Sequence, residues 1–162
     1  MPVDDARAMP ARRTDGRRAD GMLKITGRTK ELFKTAKGKY VAPAPIENHL
    51  NAHAMVELSM VSGVGQPAAF AIVVLAEHLR PRQGDAAFRA EVEREMEHLL
   101  RDVNGKHSDY EHLRMIVVAR EPWSVENGLL TPTMKIRRAR IEGAVAPMVE
   151  RWYSDTRKVI WA

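Results

Sequence analysis

The sequence predicts a small α+β domain with an N-terminal β-hairpin, a three-stranded sheet and flanking helices. Three observations carry this expectation. Two β-prone runs close on a short glycine-containing loop, as hairpin strands do. A long stretch in the middle of the chain repeats its apolar residues at helical spacing. Strand-like and helix-like segments are interspersed with hairpin turns, which disfavours a doubly wound parallel sheet. The 162 residues, 44% hydrophobic and 29% charged, suit one domain that can bury a core unaided. A large multidomain enzyme does not fit in this length, so any chemistry is compact or shared with another domain. Cysteine is absent, which excludes disulfide frameworks, thiolate metal sites and cysteine nucleophiles. No run approaches the ~20 apolar residues of a membrane span, and the first residues hold no apolar signal core.

The elements follow in order. Residues 1–20 read as a disordered or weakly ordered basic head, in which Arg7, Arg12, Arg13, Arg17 and Arg18 alternate with Asp4, Asp5, Asp15 and Asp20. Residues 21–162 read as the domain proper. Residues 22–26 alternate loosely and predict a short strand. Residues 31–35 and 39–42 predict the hairpin, with Gly38 free to take positive φ. Pro43 and Pro45 end its second strand, and 46–53 predicts a short helix with Ile46, His49, Leu50 and His53 on one face. Strands are expected over 56–64 and 68–77, the second through a continuous apolar run suited to cover on both faces. Asp85 is a candidate N-cap for a helix to about Val103 with the stripe Phe88, Val92, Met96, Leu99 and Val103, stopped by Asn104-Gly105. A strand is expected over 115–119, then a loop rich in turn formers over 121–133. A last helix over 138–154 carries Ile141, Val145, Met148 and Trp152, with Pro147 expected to kink or split it.

The formal net charge of +5 points to anionic partners. Several chemistries lack their signals. His49 and His53 are four apart but have no third ligand at convincing spacing, and no metalloprotease glutamate accompanies them. No G-x-S-x-G surrounds a serine, and Ser62-Gly63 lies at a strand end. No glycine-rich phosphate loop is present. Aromatic residues are 6% of the chain and form no RNA-binding signature, so nucleic acid is not the expected partner.

Two segments carry more charge than loops need. The first, residues 27–48, reads G-R-T-K-E-L-F-K-T-A-K-G-K-Y-V-A-P-A-P-I-E-N, with Arg28, Lys30, Lys34, Lys37 and Lys39 around one hairpin. The second, residues 126–138, reads E-N-G-L-L-T-P-T-M-K-I-R-R, with Lys135 on a loop before a helix and Arg137, Arg138 and Arg140 beside it.

Both strings resemble the C-terminal domain of adenylate-forming ligases, specifically acyl-CoA synthetases of the long-chain fatty-acid type. The resemblance covers roughly residue 21 to the C-terminus. It implies a mobile lid on a large N-terminal adenylation domain, in an enzyme that converts fatty acid, ATP and CoA to acyl-CoA, AMP and pyrophosphate with Mg2+. It implies that Lys135 is the catalytic lysine of adenylation, stabilising charge on the carboxylate and α-phosphate. Lys30 matches the hinge about which the lid turns, and Arg28 an arginine near the nucleotide. Lys34, Gly38 and Lys39 match the hairpin that faces the active site in the thioester half-reaction, where Gly38 admits the pantetheine arm. No cofactor is expected to bind tightly to this domain alone.

The match has departures. Many relatives carry glycine directly before the lysine, where this chain has Met134; that form resembles the long-chain group. Upstream, 13–17 is a degraded echo of a Thr-Gly-Asp-type motif, and the large domain's phosphate loop, magnesium carboxylate and acyl tunnel are not in this sequence. The chain is therefore expected to be inactive as a ligase alone. The resemblance implies a cytoplasmic enzyme, with peripheral membrane association of the full protein left open. Two other classes stand beside this reading: a non-catalytic interaction or regulatory fragment docking on a separate large domain, and a basic nucleic-acid-binding module built on the Arg-rich head. A ligase that hands its adenylate to a carrier protein is disfavoured by the CoA-type hairpin.

Overall fold

A four-stranded mixed sheet organises the residues that the computed structural model describes, 31–162. The head 1–20, its boundary with the domain, the strand expected over 22–26, and Arg28 and Lys30 lie outside the described residues. The elements below belong to one compact unit, Phe33–Ala162.

Strands β1 (Phe33–Lys34) and β2 (Tyr40–Val41) pair antiparallel as a separate hairpin, with Phe33 opposite Val41 and Lys34 opposite Tyr40. Alternation puts Phe33 and Val41 inward and leaves Lys34 and Tyr40 in solvent. Helix α1 (Pro43–Asn51) follows at once. It starts earlier than the sequence predicts because both prolines sit in its first turn, where a missing N–H costs nothing. Its inward face also differs: Pro43, Ile46, Glu47 and Leu50 are buried, while His49 and His53 lie to one side.

The main sheet holds β3 (Val56–Ser62), β4 (Ala69–Leu75), β5 (Leu113–Val118) and β6 (Val159–Trp161), in that order. β3 and β4 are antiparallel; β4–β5 and β5–β6 are parallel. The expected three-stranded sheet thus gains a fourth strand. Only three residues of β6 join the ladder, opposite Ile116, Val117 and Val118, too few to show a period in sequence.

Helix α2 (Ala86–Gly105) connects β4 to β5, after a 3-10 turn over Glu77–Arg82. Asp85 caps it as expected, its carboxylate accepting from the Ala87 N–H at 3.2 Å. Asn104 then docks on the start of β5: its Oδ1 accepts from Leu113 N–H at 2.8 Å and its Nδ2 donates to the Leu113 carbonyl at 3.1 Å. Helix α3 (Arg138–Ser154) connects β5 to β6 and runs unbroken through Pro147. The carbonyl that faces the proline ring belongs to Gly143. Both residues are exposed, so that peptide can tilt and take water in place of the lost donor.

β4 is buried along its whole length, and its side chains divide between two cores. Ala69, Ala71, Val73 and Leu75 join Phe88, Val92, Met96, Leu99 and Val103 of α2 and Ile46 and Leu50 of α1. Phe70, Ile72 and Val74 join Ile141 and Trp152 of α3, with Trp123 and Leu130 from the preceding loop. Tyr153 closes the second core, its hydroxyl donating to the Ala68 carbonyl and its ring edge-on to Phe70. Burial pushes its phenol well above the ordinary tyrosine range.

At the β3–β4 turn Gly63 has φ +152, and a Cβ there would lie 2.9 Å from the Ala69 Cα and 3.0 Å from the Ala68 carbonyl oxygen. Both obstacles are backbone, so they cannot rotate away. Gly63→Ala is expected to destabilise the domain by about 2–4 kcal/mol, from strained φ plus overpacking. Urea unfolding of the chain checks this; a change below about 0.5 kcal/mol would contradict it.

Candidate functional site

The hairpin builds its tip from a turn and one left-handed glycine. The Gly38 N–H donates to the Thr35 carbonyl at 3.0 Å and the Thr35 N–H to the Lys39 carbonyl at 2.9 Å. Gly38 has φ +79, with no atom within 4 Å of a would-be Cβ. This suits a turn closed by a glycine bulge, and it leaves the glycine backbone open to approach from outside. The tip is tied to the β3–β4 turn: Ala36 N–H donates to the Gln66 carbonyl at 2.9 Å, and Gly65 N–H to the Lys34 carbonyl at 3.0 Å. Lys34, Lys37 and Lys39 all project into solvent. The Lys34 ammonium lies 5.7 Å from the Tyr40 ring centroid and that of Lys39 5.9 Å from Tyr110, within cation–π reach.

Lys135 sits on a closed loop between β5 and α3. Leu130 and Ile136 form an antiparallel bridge at its base. Thr131 stitches the loop: its N–H donates to the Lys135 carbonyl at 2.8 Å, its carbonyl accepts from Met134 N–H at 2.8 Å, and its hydroxyl oxygen accepts from Lys135 N–H at 3.1 Å. Buried Leu130 anchors this loop in the second core. The Lys135 side chain is exposed and has no carboxylate partner among the described residues. An ammonium held by a rigid loop, yet unneutralised, can be offered to an anion. Met134 takes φ +67, the left-handed region that glycine enters without strain and a side chain does not.

Upstream, Asn127 organises the loop. Its Oδ1 accepts from Ser124 N–H at 3.0 Å and Leu129 N–H at 3.2 Å, and its Nδ2 donates to the Pro122 carbonyl at 3.1 Å. Gly128 follows at φ +80. The sequence reading gave Asn127 no role, although an Asn-Gly pair after a proline is a turn signal.

The two segments are joined by a residue that the sequence reading also passed over. Glu47 of α1 is 7% exposed. Its carboxylate accepts from Arg138 at both oxygens, Oε1 from Nη2 at 3.1 Å and Oε2 from Nη1, and Oε2 also takes the Val61 N–H at 2.8 Å. Arg138 Nη1 donates in turn to the Val61 carbonyl at 3.1 Å. The signal was a carboxylate on the same face as Ile46 and Leu50, which burial obliges to find a cation.

The histidines serve the α1–α2 contact. His49 Nε2 is 2.9 Å from Asp102 Oδ2, and His53 Nε2 is 3.3 Å from Glu95 Oε1. The His49 hydrogen bond holds the Asp102 carboxyl below the usual carboxylate range. Among the described residues no group of three or more histidine, cysteine, aspartate or glutamate side chains is placed to hold a metal ion. No described helix is long and apolar enough to cross a membrane.

A cationic hairpin and a lysine loop are thus clamped on one small α+β scaffold, with their lysines exposed. The model of the AMP-binding enzyme C-terminal domain matches residues 30–157, and the chain belongs to that family. It is 30% identical over 151 residues to long chain acyl-CoA synthetase 7, peroxisomal, of Arabidopsis thaliana, covering 83% of this chain and 21% of that protein. To long-chain-fatty-acid–CoA ligase FadD15 of Mycobacterium tuberculosis it is 31% identical over 147 residues, 83% of this chain and 24% of the ligase. Among solved structures, the adenylation domain of a carboxylate reductase from Mycobacterium chelonae superposes with a TM-score of 0.66 at 25% identity, over 82% of this chain and 21% of that one. The chain thus spans about a fifth to a quarter of the length of these relatives.

Two measurements test this geometry. Met134→Gly relieves the left-handed φ at an exposed position, and is expected to raise stability by about 0.5–1 kcal/mol in urea unfolding; a loss would contradict the strain. A carboxyl held low in the folded state contributes stability above the unfolded value, near pH 4, and that contribution fades as the pH falls. Asp102→Asn is therefore expected to lower the melting temperature at about pH 6 and leave it nearly unchanged at about pH 2. An equal drop at both would place the loss elsewhere.

Proposed function

We propose that this chain is the C-terminal lid of a long-chain-type acyl-CoA ligase, working with a large adenylation domain on fatty acid, ATP and CoA. The observation that carries the reading is Lys135: an exposed ammonium without a carboxylate partner among the described residues, on a loop closed by Thr131, inside a family-matched domain. Relatives at about 30% identity that are long-chain acyl-CoA synthetases and ligases support the substrate class.

In this reading Lys135 supplies positive charge where it develops during adenylation, as the carboxylate attacks the α-phosphate and pyrophosphate leaves. A fixed ammonium there costs no reorganisation at the moment of reaction. The hairpin serves the second half-reaction. Gly38 leaves room for a narrow thiol-bearing arm to pass along its backbone, and Lys34 and Lys39 favour an anionic cofactor such as CoA. Arg28 and Lys30, matched to the nucleotide contact and the hinge, belong to the same proposal. ATP, magnesium and the acyl chain would be held chiefly by the large domain.

Lys135→Ala in a full-length ligase carrying this domain is expected to slow acyl-adenylate formation by about 10²-fold or more, while preformed acyl-AMP still converts to acyl-CoA at close to the normal rate. Separate assays of the two half-reactions decide it. Equal loss in both would remove Lys135 from the adenylation role.

A further inference from the structure

We propose that Glu47 is a positioning residue for Lys135, so that the first charged segment sets the reach of the catalytic group carried by the second. The inference rests on the reading of Lys135 given above, and it concerns a residue that touches no substrate.

The argument starts from what burial demands. Glu47 is 7% exposed, and a carboxylate out of water must be paired and hydrogen-bonded. It meets both conditions at one place, the start of α3. Arg138 grips both carboxylate oxygens, and the Val61 amide takes one of them as well. Arg138 also donates to the Val61 carbonyl. The guanidinium is therefore fixed in plane and in position by α1 and β3 together, since a bidentate fork tolerates little rotation.

Arg138 is the first residue of α3, three positions after Lys135. Between them the backbone has little freedom. Arg137 N–H donates to the Leu129 carbonyl at 2.9 Å, Ile136 bridges Leu130, and Thr131 closes the ring to Met134 and Lys135. A shift of Arg138 is thus transmitted to the lysine loop as a body. Such a pair adds little net stability compared with apolar packing, but its planar bidentate fork tolerates few geometries. For a group that must meet a developing charge, a misplacement of about 1 Å can cost 10²-fold.

Glu47→Gln keeps the shape, removes the charge and points an amide N–H at a donor. In the 162-residue chain, amide hydrogen exchange should quicken at Thr131, Met134, Lys135 and Arg137, with the amides of α2 from Met96 to Val103 unchanged. In a full-length ligase carrying the domain, the adenylation kcat should fall about tenfold or more with the KM for ATP and fatty acid little changed, while thioester formation from preformed acyl-AMP persists. Loop exchange that stays at the wild-type rate overturns the proposal, as does a uniform rise across loop and α2, which marks simple destabilisation. If the Gln variant does not fold, Arg138→Lys carries the same expectations, because it keeps the charge and loses the fork. The exchange readout needs no activity. Faster loop exchange with normal adenylation also overturns the Glu47 role, since a loosened loop would then not limit the reach of Lys135, whereas the Lys135 role falls separately if Lys135→Ala leaves adenylation intact.

Discussion

The Glu47 carboxylate has left water for a place between α1, β3 and the first residue of α3, and all three must stay where they are to keep it satisfied. Arg138 supplies the charge and Val61 supplies the backbone donor. α1 and α3 lie against different cores of the domain, so this cluster is a polar bond between two otherwise separate apolar bodies. Hydrophobic burial is non-directional and would accept many small rotations of α3 against the sheet. A planar fork on a planar carboxylate accepts few. The domain thus combines a large, tolerant apolar term with a small, demanding polar one.

The sheet explains why the two charged segments can both be exposed and yet be fixed. β4 is covered on both faces, with α1 and α2 on one core and α3 on the other. The hairpin leans on the β3–β4 turn through Ala36 and Gly65, and the lysine loop hangs from Leu130 and Ile136 over the second core. The hairpin puts Phe33 and Val41 into the first core, and the loop puts Leu130 into the second. Each is held by backbone hydrogen bonds and by one or two anchoring side chains, which leaves Lys34, Gly38, Lys39 and Lys135 open to whatever approaches.

Much of this was legible before any coordinates. The α2 stripe appeared at its spacing because an amphipathic helix writes its burial pattern in period. The apolar run from Phe70 to Leu75 announced a doubly covered strand. Asp85 announced its helix as a cap. The two charged strings marked the family by their order. Other features were hidden for identifiable reasons. β6 is three residues long and exists because β5 offers it an edge. Pro147 reads as a helix breaker, and the relief at Gly143 depends on both residues facing solvent. The strain at Met134 was invisible in sequence, because a left-handed φ of +67 is set by the folded loop. The stripe assigned to α1 placed His49 and His53 on the inward face. The structure turns Glu47 inward instead, because a partner cation waits 91 residues away.

By itself, the sequence determined the α+β class, most element boundaries to within a few residues, the family and the identity of the residues that carry charge. These are written locally, in period, caps, turn residues and ordered motifs. Tertiary structure alone decided that the sheet has four strands, that α3 survives its proline, and that Glu47 and Arg138 meet. Each of those outcomes depends on what another part of the chain presents: an open strand edge, a solvent-facing carbonyl, a buried opposite charge. Local pattern records which groups need a partner, and only the folded chain supplies the distance to it.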